Sequence, residues 1–136
     1  MNVSLVGIGQ GGTSLADAIA TRFKSEAIGA INLSKKDLDV AVNIKDNFRL
    51  NLGNGSHDGA GKDRTFSKQS FMDYKDDITA LLWSVINSQK SDILLICFST
   101  SGGTGSGLGP MITAYASSAE FVKNGKQPPL VFGVAA

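Results

Sequence analysis

Cysteine, histidine and tryptophan each occur once in the 136 residues, and proline three times. A single cysteine excludes a disulfide framework and a thiolate-rich metal site. Nothing therefore argues for an oxidising compartment, and the expected location is the cytosol. An excess of charge of either sign is missing too, since 13 Lys and Arg stand against 12 Asp and Glu, a formal +1. That balance supplies neither a basic face to grip nucleic-acid phosphates nor an acidic tail, so direct nucleic-acid binding is not expected. Long apolar runs are also lacking. The longest, Ile93 to Phe98, is six residues, against roughly 20 for a membrane-spanning helix. The N-terminus has no charged leader ahead of an apolar stretch, so neither an anchor nor a signal peptide is expected. This length suits one domain with a real core and is too short for two.

Glycine is in excess, 16 of 136 residues, or about 12% against an ordinary value near 7%, and most of it falls in short clusters. Val3 to Ile8 is apolar on both faces, as a strand of a covered parallel sheet would be. It runs into Gly7-Ile8-Gly9-Gln10-Gly11-Gly12, after which Leu15, Ile19 and Phe23 form a helical stripe. Ala27 to Leu33 reads as a second strand that reaches Asn32. Val40, Val42 and Ile44 alternate, as do Phe48, Leu50 and Leu52, within an irregular connection of one or two short strands. Phe71, Tyr74, Ile78, Leu81, Leu82 and Val85 predict a helix whose first turns carry Asp73, Asp76 and Asp77, where acidic charge suits a helix N-terminus. Ser91 to Phe98 is a core strand that enters a second cluster, Ser101 to Gly107. A helix follows, with Ile112, Tyr115, Ala119 and Val122 on one face and Asn124-Gly125 at its end. Leu130 to Ala136 is a last strand. The order implies an α/β fold: a doubly wound, mostly parallel, Rossmann-like sheet with helices on both faces and ligand loops at one edge. The chain stops on a strand with no crossover helix to cover that side, as part of a longer protein would.

Both main clusters stand where a strand hands over to a helix. Glycine there lets backbone N–H groups approach a ligand, and the helix N-terminus adds partial positive charge, which together suit a phosphate. Close packing is the bland alternative for the first loop, which also satisfies G-x-G-x-x-G. A dinucleotide site, however, wants an acidic residue at the end of the second strand, where Asn32 stands instead. A Walker loop fails, because Gly61-Lys62 is followed by Asp63 and Gly125-Lys126 by Gln127. The second loop, Ser99-Thr100-Ser101-Gly102-Gly103-Thr104-Gly105-Ser106-Gly107, fits neither motif. Two phosphate-type loops at one edge point to a polyphosphate held from two sides.

Ser-Gly-Gly-Thr-Gly-Ser-Gly at 101–107 resembles the glycine signature of the tubulin and FtsZ superfamily, and Gly9-Gln10-Gly11-Gly12 is similar to the tubulin form of its first nucleotide loop. The whole chain, 1–136, is read as one GTP-binding domain of this family, incomplete at its C-terminal end. Its divergent linker and small size resemble a plasmid- or phage-encoded relative of the TubZ or PhuZ kind. The resemblance implies GTP or GDP with Mg2+ as ligands. Gly9, Gln10, Gly11 and Gly12 would meet the α- and β-phosphates, with Gln10 near the metal. Ser101, Gly102, Gly103, Thr104, Gly105 and Ser106 would surround the β- and γ-phosphates, and Asn32 would lie close by. Gly59, Ala60, Gly61 and Lys62 resemble the loop that senses the γ-phosphate, although Leu52-Gly53-Asn54-Gly55 aligns there as well.

The guanine-reading and water-activating parts of the family are not found by Ala136. Hydrolysis is therefore expected only in a full-length polymer, and no catalytic residue is assigned. The resemblance further implies head-to-tail self-association into filaments that segregate or position plasmid or phage DNA through an adaptor protein, without a membrane. The rival from another class is an NAD- or FAD-dependent oxidoreductase domain; a third reading is a nucleotide-free interaction module. His57 reads as a solvated loop residue, Cys97 as a small buried apolar one, and Trp83 and Phe71 as cover for the sheet. Lys62 is either an exposed loop charge or a γ-phosphate contact.

Overall fold

The computed structural model describes residues 2–23, 28–32, 48–51, 64–88, 90–100, 103–122 and 129–136. The elements are β1 (Val3–Ile8), α1 (Gly9–Phe23), β2 (Ile28–Asn32), β3 (Arg49–Asn51), α2 (Arg64–Asp73), α3 (Lys75–Ser88), β4 (Ile93–Phe98), α4 (Gly103–Ala116), α5 (Ala119–Val122) and β5 (Leu130–Ala135). The strands form one sheet in the order β3-β2-β1-β4-β5, and every neighbouring pair is parallel. This is the doubly wound order expected from the alternation of strand and helix.

The central strands are apolar on both faces because both are covered. Val3, Leu5 and Gly7 share one face of β1, and a Cβ added at Gly7 would lie 2.7 Å from the Gly12 carbonyl oxygen and the Thr13 nitrogen of α1. On the other face the Ser4 hydroxyl donates to the Val85 carbonyl of α3 at 3.3 Å and pairs with the Ser91 hydroxyl. The register sets Ile8 beside Phe98, so Phe98 belongs to that second face, where α4 also lies. Leu5, Val6, Ile8, Ile31, Leu94 and Ile96 are sealed between these layers. At the β5 edge the cover runs out: Leu130 and Phe132, on the α1 side of the sheet, are 65% and 50% exposed.

Four helix boundaries differ from the sequence reading. α1 begins at Gly9, before the glycines end, and α4 likewise begins inside its cluster, at Gly103. The helix expected around Phe71 to Val85 is two helices divided at Tyr74. Hydrogen bonds from Tyr74 N–H to the Ser70 carbonyl (3.0 Å) and from Ile78 N–H to the Tyr74 carbonyl (2.9 Å) bridge the turn. The helix expected through Val122 stops at Ala116, because Ser118 ends one helix and caps the next. Its hydroxyl donates to the Tyr115 carbonyl at 2.6 Å and accepts the Phe121 N–H at 3.4 Å. The chain thereby turns Phe121 into the core, stacked on Trp83 with ring centroids 4.7 Å apart and edge-on to Tyr115. Ala119, expected on the apolar stripe, is exposed. Trp83 and Phe71 therefore join helices to one another, Phe71 through an edge contact with Tyr115. Val40 to Ile44, His57 and Asn124-Gly125 lie outside the described residues.

Candidate functional site

The chain moves outward from β1 through β2 to β3, then returns to the other side of β1 with β4. A crevice opens beyond the carboxyl ends of the strands at such a reversal, and ligands of open α/β sheets bind there. Here the reversal lies between β1 and β4. Ile8 and Phe98 are paired, so Gly9 and Ser99 leave adjacent strands at the same level. The two glycine clusters, about 90 residues apart in sequence, are brought together by this one register.

Each glycine of the first loop has its own physical reason. Gly9 has φ 76°, the left-handed region that glycine enters without steric cost, and this allows the chain to turn from strand to helix in one residue. Gly12 lies on the face of α1 that meets β4, where a Cβ would stand 2.9 Å from both the Cys97 carbonyl carbon and the Phe98 Cα and would overlap the Cys97 carbonyl oxygen. Gly11 faces the other loop: a Cβ there would come within 2.9 Å of the Ser99 Cβ. The Thr13 hydroxyl donates to the Gly9 carbonyl at 2.6 Å, pinning the first turn of α1. Packing thus accounts for Gly12, while exposed Gln10 and Gly11 form the open part of the rim. Ser99, the first residue of the second loop, is the part of that loop that stands beside Gly11, although no phosphate contact was expected of it. Its position directly ahead of the 101–107 cluster was the available signal.

The electrostatics follow from the same two helix starts. The first N–H groups of an α-helix have no partner within it, and the helix dipole adds partial positive charge there. Neither α1 nor α4 carries an acidic residue in its first turn, so both ends attract an anion. Gly103, Thr104, Gly105 and Ser106 open α4, and Asn32 closes β2. Ser101 and Gly102, with Gly59, Ala60, Gly61 and Lys62, lie outside the described residues. Cys97 is fully buried behind Gly12, and burial pushes its thiol up to about 11, which makes it a packing residue and not a nucleophile at neutral pH.

Among the described residues no group of three or more His, Cys, Asp or Glu could hold a metal ion, and no helix is long and apolar enough to cross a membrane. A groove of about 410 Å³ between α3 and the end of α4 is lined by Trp83, Tyr115, Asp76 and Glu120 among others, and by no residue of the glycine rim. Its cation, Lys75, is held by Glu120 at 2.6 Å, which raises the ammonium pKa, and lies over the Tyr115 ring. With its carboxylates and its occupied lysine, this groove is ill suited to a phosphate.

The family model for the GTPase domain of the Tubulin/FtsZ family matches residues 2–125. The tubulin-like protein TubZ of a Clostridium botulinum C phage is 31% identical over 109 residues, which are 80% of this chain and 29% of that protein. Among solved structures, GDP-bound monomeric CetZ1 from Haloferax volcanii superposes with a TM-score of 0.79 at 23% identity, covering 99% of this chain and 41% of that one. A GTPγS-form protofilament of TubZ from Bacillus thuringiensis serovar israelensis gives 0.75 at 21% identity, covering 99% and 36%. The chain therefore spans about a third of the length of these relatives.

Proposed function

Since the chain belongs to the Tubulin/FtsZ family, we propose that its glycine rim binds the phosphates of GTP and GDP. The observation that carries this reading is the meeting of Gly11 and Ser99, which sets the first glycine loop beside the start of the second. In this reading Gly9, Gln10, Gly11 and Gly12 hold the α- and β-phosphates, and Ser101, Gly102, Gly103, Thr104, Gly105 and Ser106 hold the β- and γ-phosphates. Asn32 borders the same edge, and Gly59, Ala60, Gly61 and Lys62 serve the γ-phosphate. The fit is of the right kind for a polyanion: two helix starts without acidic residues, brought so close that Gly11 cannot carry a side chain beside Ser99. Mg2+ with nucleotides is held chiefly by phosphates and water, with one or two protein oxygens. Gln10, exposed on the rim, supplies a neutral oxygen of that sort. Bound there, the ion would neutralise phosphate charge.

The first turns of α1 and α4 carry no acid to activate water, so we assign turnover to an assembled polymer in which a neighbouring subunit completes the site. Head-to-tail filaments follow from such a shared nucleotide, and the protofilament form of the TubZ relative supports this part of the reading. We further propose that the filament segregates or positions plasmid or phage DNA in the cytoplasm through an adaptor protein, because the near-zero net charge leaves little attraction for DNA itself.

Titration calorimetry of the chain with GTP, GDP, ATP and NADH tests the core of the proposal. Binding of GTP and GDP that is abolished by Gly103→Ala, with the fold retained by circular dichroism, is the expected result. Binding of NADH alone would transfer the site to the oxidoreductase reading, and unchanged GDP binding by Gly103→Ala would remove the second loop from it.

A further inference from the structure

We infer that Phe98 is a positioning residue for the second glycine loop: its ring is the spacer between the sheet and α4 that sets where the first turn of α4 presents its N–H groups. The consequence for ligand affinity rests on the nucleotide reading above, whereas the spacer itself stands on packing alone.

Phe98 is the last residue of β4 and is 9% exposed. The loop begins at the next residue and returns to the sheet at Gly109, whose missing Cβ would stand 2.6 Å from Cδ1 and 2.7 Å from Cβ of Phe98. The α4 backbone therefore rests directly on the ring. A second glycine, Gly133 of β5, also borders the ring: a Cβ there would stand 3.5 Å from Cε1 of Phe98 and 3.2 Å from Cγ2 of Thr113. One large ring thus fills a slot that two glycines leave open.

The start of the loop is tied as well. Ala136 N–H donates to the Phe98 carbonyl, and Thr100 N–H donates to the Ala136 carbonyl, each at 3.0 Å. The start of the loop at Ser99 and Thr100 and the Gly109 seat of α4 both converge on Phe98. External seating matters because α4 does little to hold its own first turns. Glycine at 103, 105, 107 and 109 is a weak helix former, and Pro110 has no N–H to give the Ser106 carbonyl. The thickness of the ring then decides how far the 103–107 amides stand from those of Gly9 to Gly12.

Gly109→Ala, Phe98→Ala and the double variant test this in the full 136-residue chain, with GTP and GDP affinity measured well below each melting temperature so that only folded protein is compared. Each single variant is expected to weaken GTP binding by about tenfold, and the double variant to recover to within about threefold of the unsubstituted chain, since contacting residues are non-additive. Phe98→Leu replaces Phe98→Ala if the latter does not fold, and hydrogen exchange of the 103–108 amides is expected to quicken in either. Unchanged affinity and exchange in the single variants, or strictly additive losses in the double, would overturn the role assigned to Phe98. If the unsubstituted chain binds neither GTP nor GDP, the nucleotide reading fails. The spacer is then decided by amide exchange and by whether the melting-temperature losses are additive, which would refute it.

Discussion

Three helices of this chain start in two opposite ways. α1 and α4 open on glycine, at Gly9 and Gly103, with no acidic residue in the first turn, whereas α3 opens on Lys75 with Asp76 and Asp77 in its first turn. All three ends carry the same partial positive charge of the helix dipole. In α3 the chain's own carboxylates answer it, and the helix is self-sufficient. In α1 and α4 it is left for something else to answer. A net charge of +1 hides this division, because the attraction for an anion comes from peptide dipoles at one sheet edge and not from Lys or Arg.

Gly12→Ala should break the comparison most severely. The added Cβ would stand 2.9 Å from the Phe98 Cα and overlap the Cys97 carbonyl, backbone that cannot rotate aside. A destabilisation of about 3 kcal/mol in urea melts is expected, together with loss of protection by GDP. A variant that melts like the parent and still binds would show that α1 does not lean on β4 as described. Cys97, which backs the same contact, gives the next largest effect. Its thiol sits near 9 when unfolded and about 11 when folded. Between those values the unfolded chain has released its proton while the folded chain still holds one, so stability falls as pH rises through that window. The loss is at most about 3 kcal/mol, and Cys97→Ala should flatten it when urea midpoints at pH 8 and pH 10 are compared.

Most of the sheet was legible, because a strand covered on both faces must be apolar throughout, and Val3 to Ile8 and Ile93 to Phe98 admit little else. The clustering of glycine at strand-to-helix junctions was enough to locate both halves of the candidate site. Which glycine serves packing and which serves exposure was not legible. Gly12 is fixed by Cys97 and Phe98, which lie more than 80 residues away in sequence, and only the register of β1 with β4 shows it. The break after Ala116 was missed for a related reason: a periodicity through Ala119 and Val122 looks as regular as one through Phe121. Only the capping hydroxyl of Ser118 decides which of them enters the core. Ser99 was read as the start of the second loop but given no role there, because its value comes from a neighbour, Gly11, on another strand's loop.

Gln10→Asp would convert α1 into a helix of the α3 kind. A carboxylate in the first turn should stabilise the helix by about 0.3–1 kcal/mol while lowering GTP affinity, and it is this opposition of sign that makes the variant informative. Thermal melts without nucleotide and titrations with it separate the two. If stability and affinity moved in the same direction, the start of α1 would not be the part of the rim that meets phosphate.

The converse change is the smallest and the most discriminating. Asp76→Asn and Asp77→Asn strip α3 of the charges that answer its dipole while keeping side-chain size. Each should cost about 0.3–1 kcal/mol at low ionic strength, and the cost should shrink as salt is raised, because both side chains are exposed. GTP and GDP affinity should be unchanged, since Asp76 lines a groove to which no residue of the glycine rim contributes and Asp77 shares its helical turn. An uncovered α3 start that remained indifferent to phosphate would show that a free helix end is not sufficient. What α1 and α4 add is a pairing of two such ends across one register, close enough that Gly11 has no room for a side chain beside Ser99. Gain of phosphate binding by the α3 double variant would instead reduce the glycine rim to one generic helix terminus among several.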